Sequence, residues 1–165
     1  MEDIRIRQIL LADNKPLAEI IRQALTEFGA NKPGTVYYDP TTDHLFELFQ
    51  KKGSVYYVAE QNNRIIGGAG IFPSDGLPDK VCELVKMYLV KESRGKGLGG
   101  MLITKALAFA RQQGYHTVYL ETMPELGKAV SVYEKFGFSY LDGPMGNTGH
   151  FGCDIWMKKE IKTPD

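Results

Sequence analysis

A chain of 165 residues with 43% hydrophobic side chains can bury a sizeable core and is of one-domain length, so a single domain over 1–165 is expected. Its 20 basic and 20 acidic residues leave a formal charge of zero, which argues against a general nucleic-acid or membrane-surface role, because neither gains from a neutral surface. No segment approaches the about 20 apolar residues of a membrane span, the first residues carry no apolar run of signal-peptide length, and Cys82 and Cys153 form no CxxC pair. Free thiols in a reducing cytoplasm are the simplest reading.

In chain order, Ile4 and Ile6 alternate with Arg5 and Arg7 and predict a first strand over Ile4–Ile9. Asp13 is placed to cap a helix and Pro16 suits its first turn. Leu17, Ile20, Ile21, Ala24, Leu25 and Phe28 keep helical spacing until Gly29. Residues 31–40, with two prolines and a glycine, predict a loop, and His44–Lys51 a short helix. Ser54–Glu60 and Arg64–Phe72 predict two strands joined by a hairpin turn at Gln61-Asn62-Asn63. A polar loop to Asp79 leads to a strand over Val81–Val90. A helix from about Leu98 to Gln112, a strand His116–Glu121, a helix Leu126–Phe136 and closing strands Phe138–Leu141 and Phe151–Lys158 follow. Hairpins mixed with one strand–helix–strand crossover predict an α/β protein with a mixed, mostly antiparallel sheet flanked by helices.

The most informative stretch is Arg94-Gly-Lys-Gly-Leu-Gly-Gly100, between a strand and a helix. Glycine-rich backbone at a helix N-terminus exposes amides at the positive end of the helix dipole, and that geometry binds phosphate. Arg94 adds a charge suited to phosphate oxygens. Gly95, Gly97 and Gly100 fit the dinucleotide pattern G-x-G-x-x-G literally, and Glu121 lies about 20 residues on, where a ribose-binding acid belongs. Four polar residues, Lys91-Glu92-Ser93-Arg94, nevertheless separate the strand from the first glycine, and the preceding half reads as hairpin rather than βαβ. Lys96 is followed by Gly97 rather than Ser or Thr, which argues further against a Walker loop.

A wider pattern accounts for more of the chain. The run Glu83 to Gly99, with Arg94-Gly95-Lys96-Gly97-Leu98-Gly99 at its end, resembles the signature Arg/Gln-x-x-Gly-x-Gly/Ala of the GNAT superfamily, the acetyl-CoA-dependent N-acetyltransferases. Ala129, Tyr133, Gly137 and Phe138 resemble that family's second signature, Ala-x-x-x-Tyr-x-x-x-Gly-Phe. Lys91 stands where many relatives have Pro, and Leu126 where many have Asn. The resemblance implies a GNAT-like acyl-CoA N-acyltransferase fold. It also implies acetyl-CoA as co-substrate, with its pyrophosphate on Arg94, Gly95, Lys96, Gly97, Leu98, Gly99 and Gly100 and its pantetheine arm against Met87 and Leu89. The implied partner is an amine of a small molecule or a protein, acetylated by direct transfer in a ternary complex. A non-catalytic acyl-CoA sensor is the alternative, and a homodimer is left open.

Acetyl transfer needs a polarised thioester, a neutral amine and a stabilised thiolate. Tyr133 occupies the position of the family's thiolate-protonating tyrosine. Glu83 is the candidate base, because on a regular strand it shares a side with Met87, four residues on; Glu121 is the alternative. His150, Asp154 and Trp156 would share one strand face, open to the acceptor, while Phe151, Cys153, Ile155 and Met157 take the core face. Tyr37, Tyr38, Tyr56 and Tyr57 are further candidates for an acceptor pocket. His44, His116 and His150 have no ligand spacing, so no metal is expected.

Overall fold

Runs rich in Val, Ile and Tyr, broken by glycine-bearing turns, form the strands of a computed structural model that describes residues 3–146 and 152–161. The strands are β1 (Arg5–Gln8), β2 (Val55–Gln61), β3 (Arg64–Phe72), β4 (Val81–Leu89), β5 (Thr117–Thr122), β6 (Ser139–Leu141) and β7 (Ile155–Glu160). They make one sheet in the order β1-β2-β3-β4-β5-β7-β6, and among the described residues only β4 and β5 pair in parallel. The helices are α1 (Asn14–Glu27), α2 (Leu45–Leu48), α3 (Leu98–Gln112) and α4 (Gly127–Lys135). Among the described residues no helix is long and apolar enough to cross a membrane.

Each face of the sheet buries its own apolar cluster. Leu102, Ile103 and Leu107 of α3 and Val130 of α4 pack on one face with Ile71, Leu84, Val118 and Leu120. Leu17, Ile21 and Leu25 of α1 pack on the other with Tyr56, Val58 and Met123. These three α1 residues are wholly buried, and each contributes about 1.5–3 kcal/mol relative to exposure.

Several elements depart from expectation. The second helix covers only Leu45–Leu48, because Phe49 turns into the core against the Tyr56 ring, 5.1 Å away. Residues 31–40 contain a 3-10 turn at Val36–Tyr38, and a second turn, Pro40–Asp43, follows. Asp13 stands at the head of α1, but its carboxylate accepts from the Leu10 amide at 2.7 Å and Arg7 at 2.8 Å rather than from α1. The last strand starts at Ile155 rather than Phe151, since β5 pairs Thr117–Thr122 with Glu160–Ile155.

The largest departure is in β4, which is not a regular strand. Gly68 pairs with Tyr88 and Gly70 with Val85, so Ala69 opposes both Lys86 and Met87. Lys86 absorbs the extra residue at φ +54°, a left-handed conformation typical of a β-bulge. Its carbonyl accepts from the buried Tyr56 hydroxyl at 2.8 Å. Tyr56 fits there because a Cβ on Gly68 would lie 2.5 Å from its ring. Before the bulge, Cys82 and Leu84 belong to the α3 cluster; after it, Met87 and Leu89 do, while Val85 and Tyr88 pack on the α1 side. Glu83 and Met87 therefore face opposite sides of the sheet, which corrects the expectation that they share one.

Candidate active site

Parallel β4 and β5 pair only over Val81–Glu83 with Thr117–Tyr119. Beyond that they diverge, and a cavity of about 490 Å³ opens between them. Because the sheet is parted there, the cavity is lined from both faces: by Tyr133 and Val132 of α4 with Phe136 just after it, and by Ala24, Phe28 and Val36 on the α1 side.

The 3-10 turn Lys91–Ser93 separates β4 from the glycine loop, as the four polar residues there suggest. Gly95 at φ +75° and Gly97 at φ +83° adopt left-handed backbone that favours glycine, and a Cβ on either would meet nothing within 4 Å. Gly97 caps α3, and the first backbone bond of that helix is from Met101 to the Gly97 carbonyl. No carbonyl among the described residues accepts from the amides of Gly95 to Gly100, a row of donors at the positive end of a 15-residue helix. Gly95, Gly97, Gly99 and Gly100 line the cavity. The Leu98 side chain is buried in the core, so Leu98 offers only its amide, whereas the Lys96 side chain is exposed. Met87 and Leu89 line the cavity next to Gly99, where a Cβ would lie 4.0 Å from each side chain.

Arg94 lines the cavity too, but its guanidinium is engaged within the protein. Nε and Nη2 donate to the Leu89 carbonyl at 3.2 and 3.0 Å, Nη1 pairs with Glu27, and the group lies 4.7 Å over the Phe28 ring.

Deeper in the cavity Tyr133 is 7% exposed and sits edge-on to Phe138 at 5.9 Å. Its hydroxyl makes no hydrogen bond to the described residues and is open to the cavity rather than sealed in the core. Burial raises its pKa well above the ordinary phenol value, so it stays protonated. Glu83 is 2% exposed, and one of its oxygens accepts from the Ser74 hydroxyl. Glu121 accepts from the Tyr119 hydroxyl at 2.7 Å and lies opposite Trp156 of β7. Both carboxylates line the cavity. Lys86 does as well; its buried ammonium is 3.5 Å from Asp39, and burial lowers its pKa against the pull of Asp39 and Glu83. Cys153 packs against the α1-side cluster and lines the cavity, rather than sharing the α3 side with Ile155 and Met157, since β7 begins only after it. Its thiol is pushed up to about 12 by burial, with Glu121 and Glu83 adding to the effect.

The four tyrosines Tyr37, Tyr38, Tyr56 and Tyr57 lie outside the cavity lining, and His150 lies outside the described residues. Asp154 is exposed and Trp156 half-buried. Among the described residues no three His, Cys, Asp or Glu side chains converge as a metal site requires. Lys86, Cys153, Ala24 of α1 and Phe28 just after that helix are cavity residues that sequence reasoning missed. Helical spacing puts Ala24 and Phe28 on the apolar stripe of α1, but nothing local says that the stripe ends at this cavity.

Among the described residues the sheet parts between its only parallel pair of strands, with a glycine-headed helix at the opening and a phenol and carboxylates within, an arrangement suited to acyl transfer. Residues 17–138 match the acetyltransferase (GNAT) family, and the chain belongs to that family. It is 39% identical over 158 residues, 94% of each chain, to YjgM of Escherichia coli (strain K12), an uncharacterized N-acetyltransferase. It is 33% identical over 138 residues to human N-acetyltransferase 8, covering 79% of this chain and 58% of that protein. In fold it matches an acetyltransferase of the GNAT family from Staphylococcus aureus Mu50 with a TM-score of 0.83 at 21% identity, over 97% of this chain and 100% of that one. The PaiA N-acetyltransferase of Thermoplasma acidophilum, solved in complex with coenzyme A, matches at 0.76 and 20% identity, over 96% and 99%.

Proposed function

We propose that the chain is a single N-acetyltransferase domain of the cytoplasm that transfers the acetyl group of acetyl-CoA directly to an amine of a small molecule or a protein. One observation carries this reading. A single cavity passes between β4 and β5, so the amides at the head of α3, Tyr133 from one face of the sheet and Glu83 from the other all reach it.

The cavity suits the co-substrate. A row of backbone donors without protein acceptors, at the positive end of a helix, matches a pyrophosphate. Gly95 and Gly97 leave the approach to those amides open. Met87 and Leu89 supply an apolar wall for the pantetheine arm. Acetyl-CoA brings an acetyl group activated as a thioester.

Glu83 takes the proton of the acceptor ammonium on a carboxylate oxygen, directly or through water, and so frees the nitrogen lone pair. As the nitrogen–carbon bond forms and the carbon–sulfur bond breaks, the nitrogen gives up its second proton and the departing thiolate takes one up through the Tyr133 hydroxyl, which regains it, so that a neutral amide and a free thiol result. An ordinary phenol titrates near 10 and a thiol near 8.5, and burial moves this phenol further up. Its share is therefore a charge-stabilising hydrogen bond as much as the proton itself. Glu121, in the same wall, is a second carboxylate for the acceptor side.

The test is incubation of the protein with acetyl-CoA and a panel of amines while free thiol is followed. Thiol release that depends on the amine, with the acetylated amine detected by mass, is the expected result. Tight coenzyme A binding with no release for any amine would replace the enzyme with an acyl-CoA sensor.

A further inference from the structure

Arg94 belongs by sequence to the phosphate loop, yet its side chain is bound on both edges and one face. Nε and Nη2 converge on the carbonyl of Leu89, the last residue of β4. Nη1 pairs with Glu27, the last residue of α1, and the planar group covers the ring of Phe28. Glu27 is unusual in its own right. A carboxylate in the last turn of a helix opposes the helix dipole, and α1 has no basic residue in that turn to offset it. The compensating cation comes from the glycine loop instead.

We infer that the Arg94 guanidinium is a clamp rather than a phosphate ligand, and that Glu27 is the positioning residue that holds it. The clamp joins three parts of the cleft: the end of β4, the turn and glycine loop that follow it, and the last turn of α1, whose Ala24 and Phe28 line the cavity. The amides of Gly95 to Gly100 are thereby held in register with the β4 wall, and they alone receive the pyrophosphate. This inference rests on the reading that the loop binds acetyl-CoA.

The two roles for Arg94 predict opposite signs when Glu27 is altered. A phosphate ligand held back by Glu27 is released by Glu27→Gln, and coenzyme A then binds more tightly. A clamp is loosened by the same change, and coenzyme A binds more weakly. The experiment is calorimetric titration of the full chain with coenzyme A at several salt concentrations, with steady-state kinetics alongside. We expect Glu27→Gln and Arg94→Ala each to weaken binding about tenfold, with the double variant no weaker than Arg94→Ala alone, because both act through one contact. Glu27→Asp should recover part of the loss, and kcat at saturating acetyl-CoA should stay within about twofold of wild type. The salt dependence of binding should be the same with and without Arg94. Tighter or unchanged binding by Glu27→Gln, or a flatter salt dependence in Arg94→Ala, would overturn the clamp while wild-type binding stands. Wild-type protein that fails to bind coenzyme A would instead remove the reading beneath it.

Discussion

Glu83 and Met87 lie four residues apart on β4 yet face opposite sides of the sheet, because Lys86 between them takes a left-handed conformation at φ +54°. A regular strand would put both on one side. The bulge instead turns Met87 and Leu89 toward α3 and leaves Glu83 with Val85 and Tyr88 on the α1 side. Donor wall and proposed base are thus separated by the thickness of the sheet, and they meet only where β4 and β5 part.

If Glu83 is the base, Glu83→Gln keeps an acceptor for the Ser74 hydroxyl but loses the proton site. We expect kcat to fall by about a hundredfold or more while coenzyme A affinity is unchanged. Steady-state rates over pH 6–9, with binding measured separately, check this. A loss of affinity without loss of kcat would remove Glu83 from the chemistry.

Tyr133 has a hydroxyl with no described partner and a ring buried against Phe138. Tyr133→Phe keeps the ring and removes only the donor, so the melting temperature should hold within about 2 °C. Turnover should drop about tenfold or more, with coenzyme A affinity preserved. An unaltered kcat would reduce Tyr133 to a packing residue.

Gly97 and Gly114 offer a matched comparison. Both have left-handed backbone, at φ +83° and φ +87°, and a Cβ on either meets nothing within 4 Å. Alanine at either position should cost about 1–2 kcal/mol of stability through backbone strain alone. Only Gly97 lines the cavity, so only Gly97→Ala should also weaken coenzyme A binding, and Gly97→Val should weaken it further. Thermal melts paired with titrations separate the two effects.

Asp13 governs an acid limb of stability. Burial pushes its pKa up, but the Arg7 hydrogen bonds and the Leu10 amide outweigh burial and hold it below the ordinary 3.8. The unfolded chain therefore binds a proton more readily than the folded one. The stabilisation is complete above pH 3.8 and is lost as pH falls through the lower folded value. Asp13→Asn should cost about 2 kcal/mol at neutral pH. It should also flatten the decline of stability between pH 4 and 2, as followed by urea melts across that range.

Much of the fold was legible because it is written in local pattern. The spacing of Leu17, Ile21 and Leu25 marks α1, Gly29 ends it at φ +68°, and Asn62 and Asn63 make the hairpin turn with positive φ. The glycine loop and Tyr133 were legible for a related reason: the backbone freedom and hydroxyl they supply belong to the residue type itself. Lys86 was not. Lysine has no special claim on left-handed backbone, and the bulge is set by packing that lies outside β4: the Tyr56 hydroxyl on its carbonyl, and Gly68 making room for the ring. Cys153 was put on the wrong face of the sheet for a similar reason, since the start of β7 is fixed by pairing with β5 rather than by the alternation of its own residues.

By itself, the sequence determined which main elements form, where the glycine-rich amides at the head of α3 lie and which residues are candidates for the chemistry, because these follow from residue type and spacing within about 20 positions. Only the tertiary structure decided which side of the sheet Glu83 faces, that β4 and β5 part after Glu83, and that Arg94 is held by Glu27, 67 residues earlier in the chain. Each of these depends on contacts between segments distant in sequence. The energy of such contacts comes from burial and from pairing in space, and no local pattern records it.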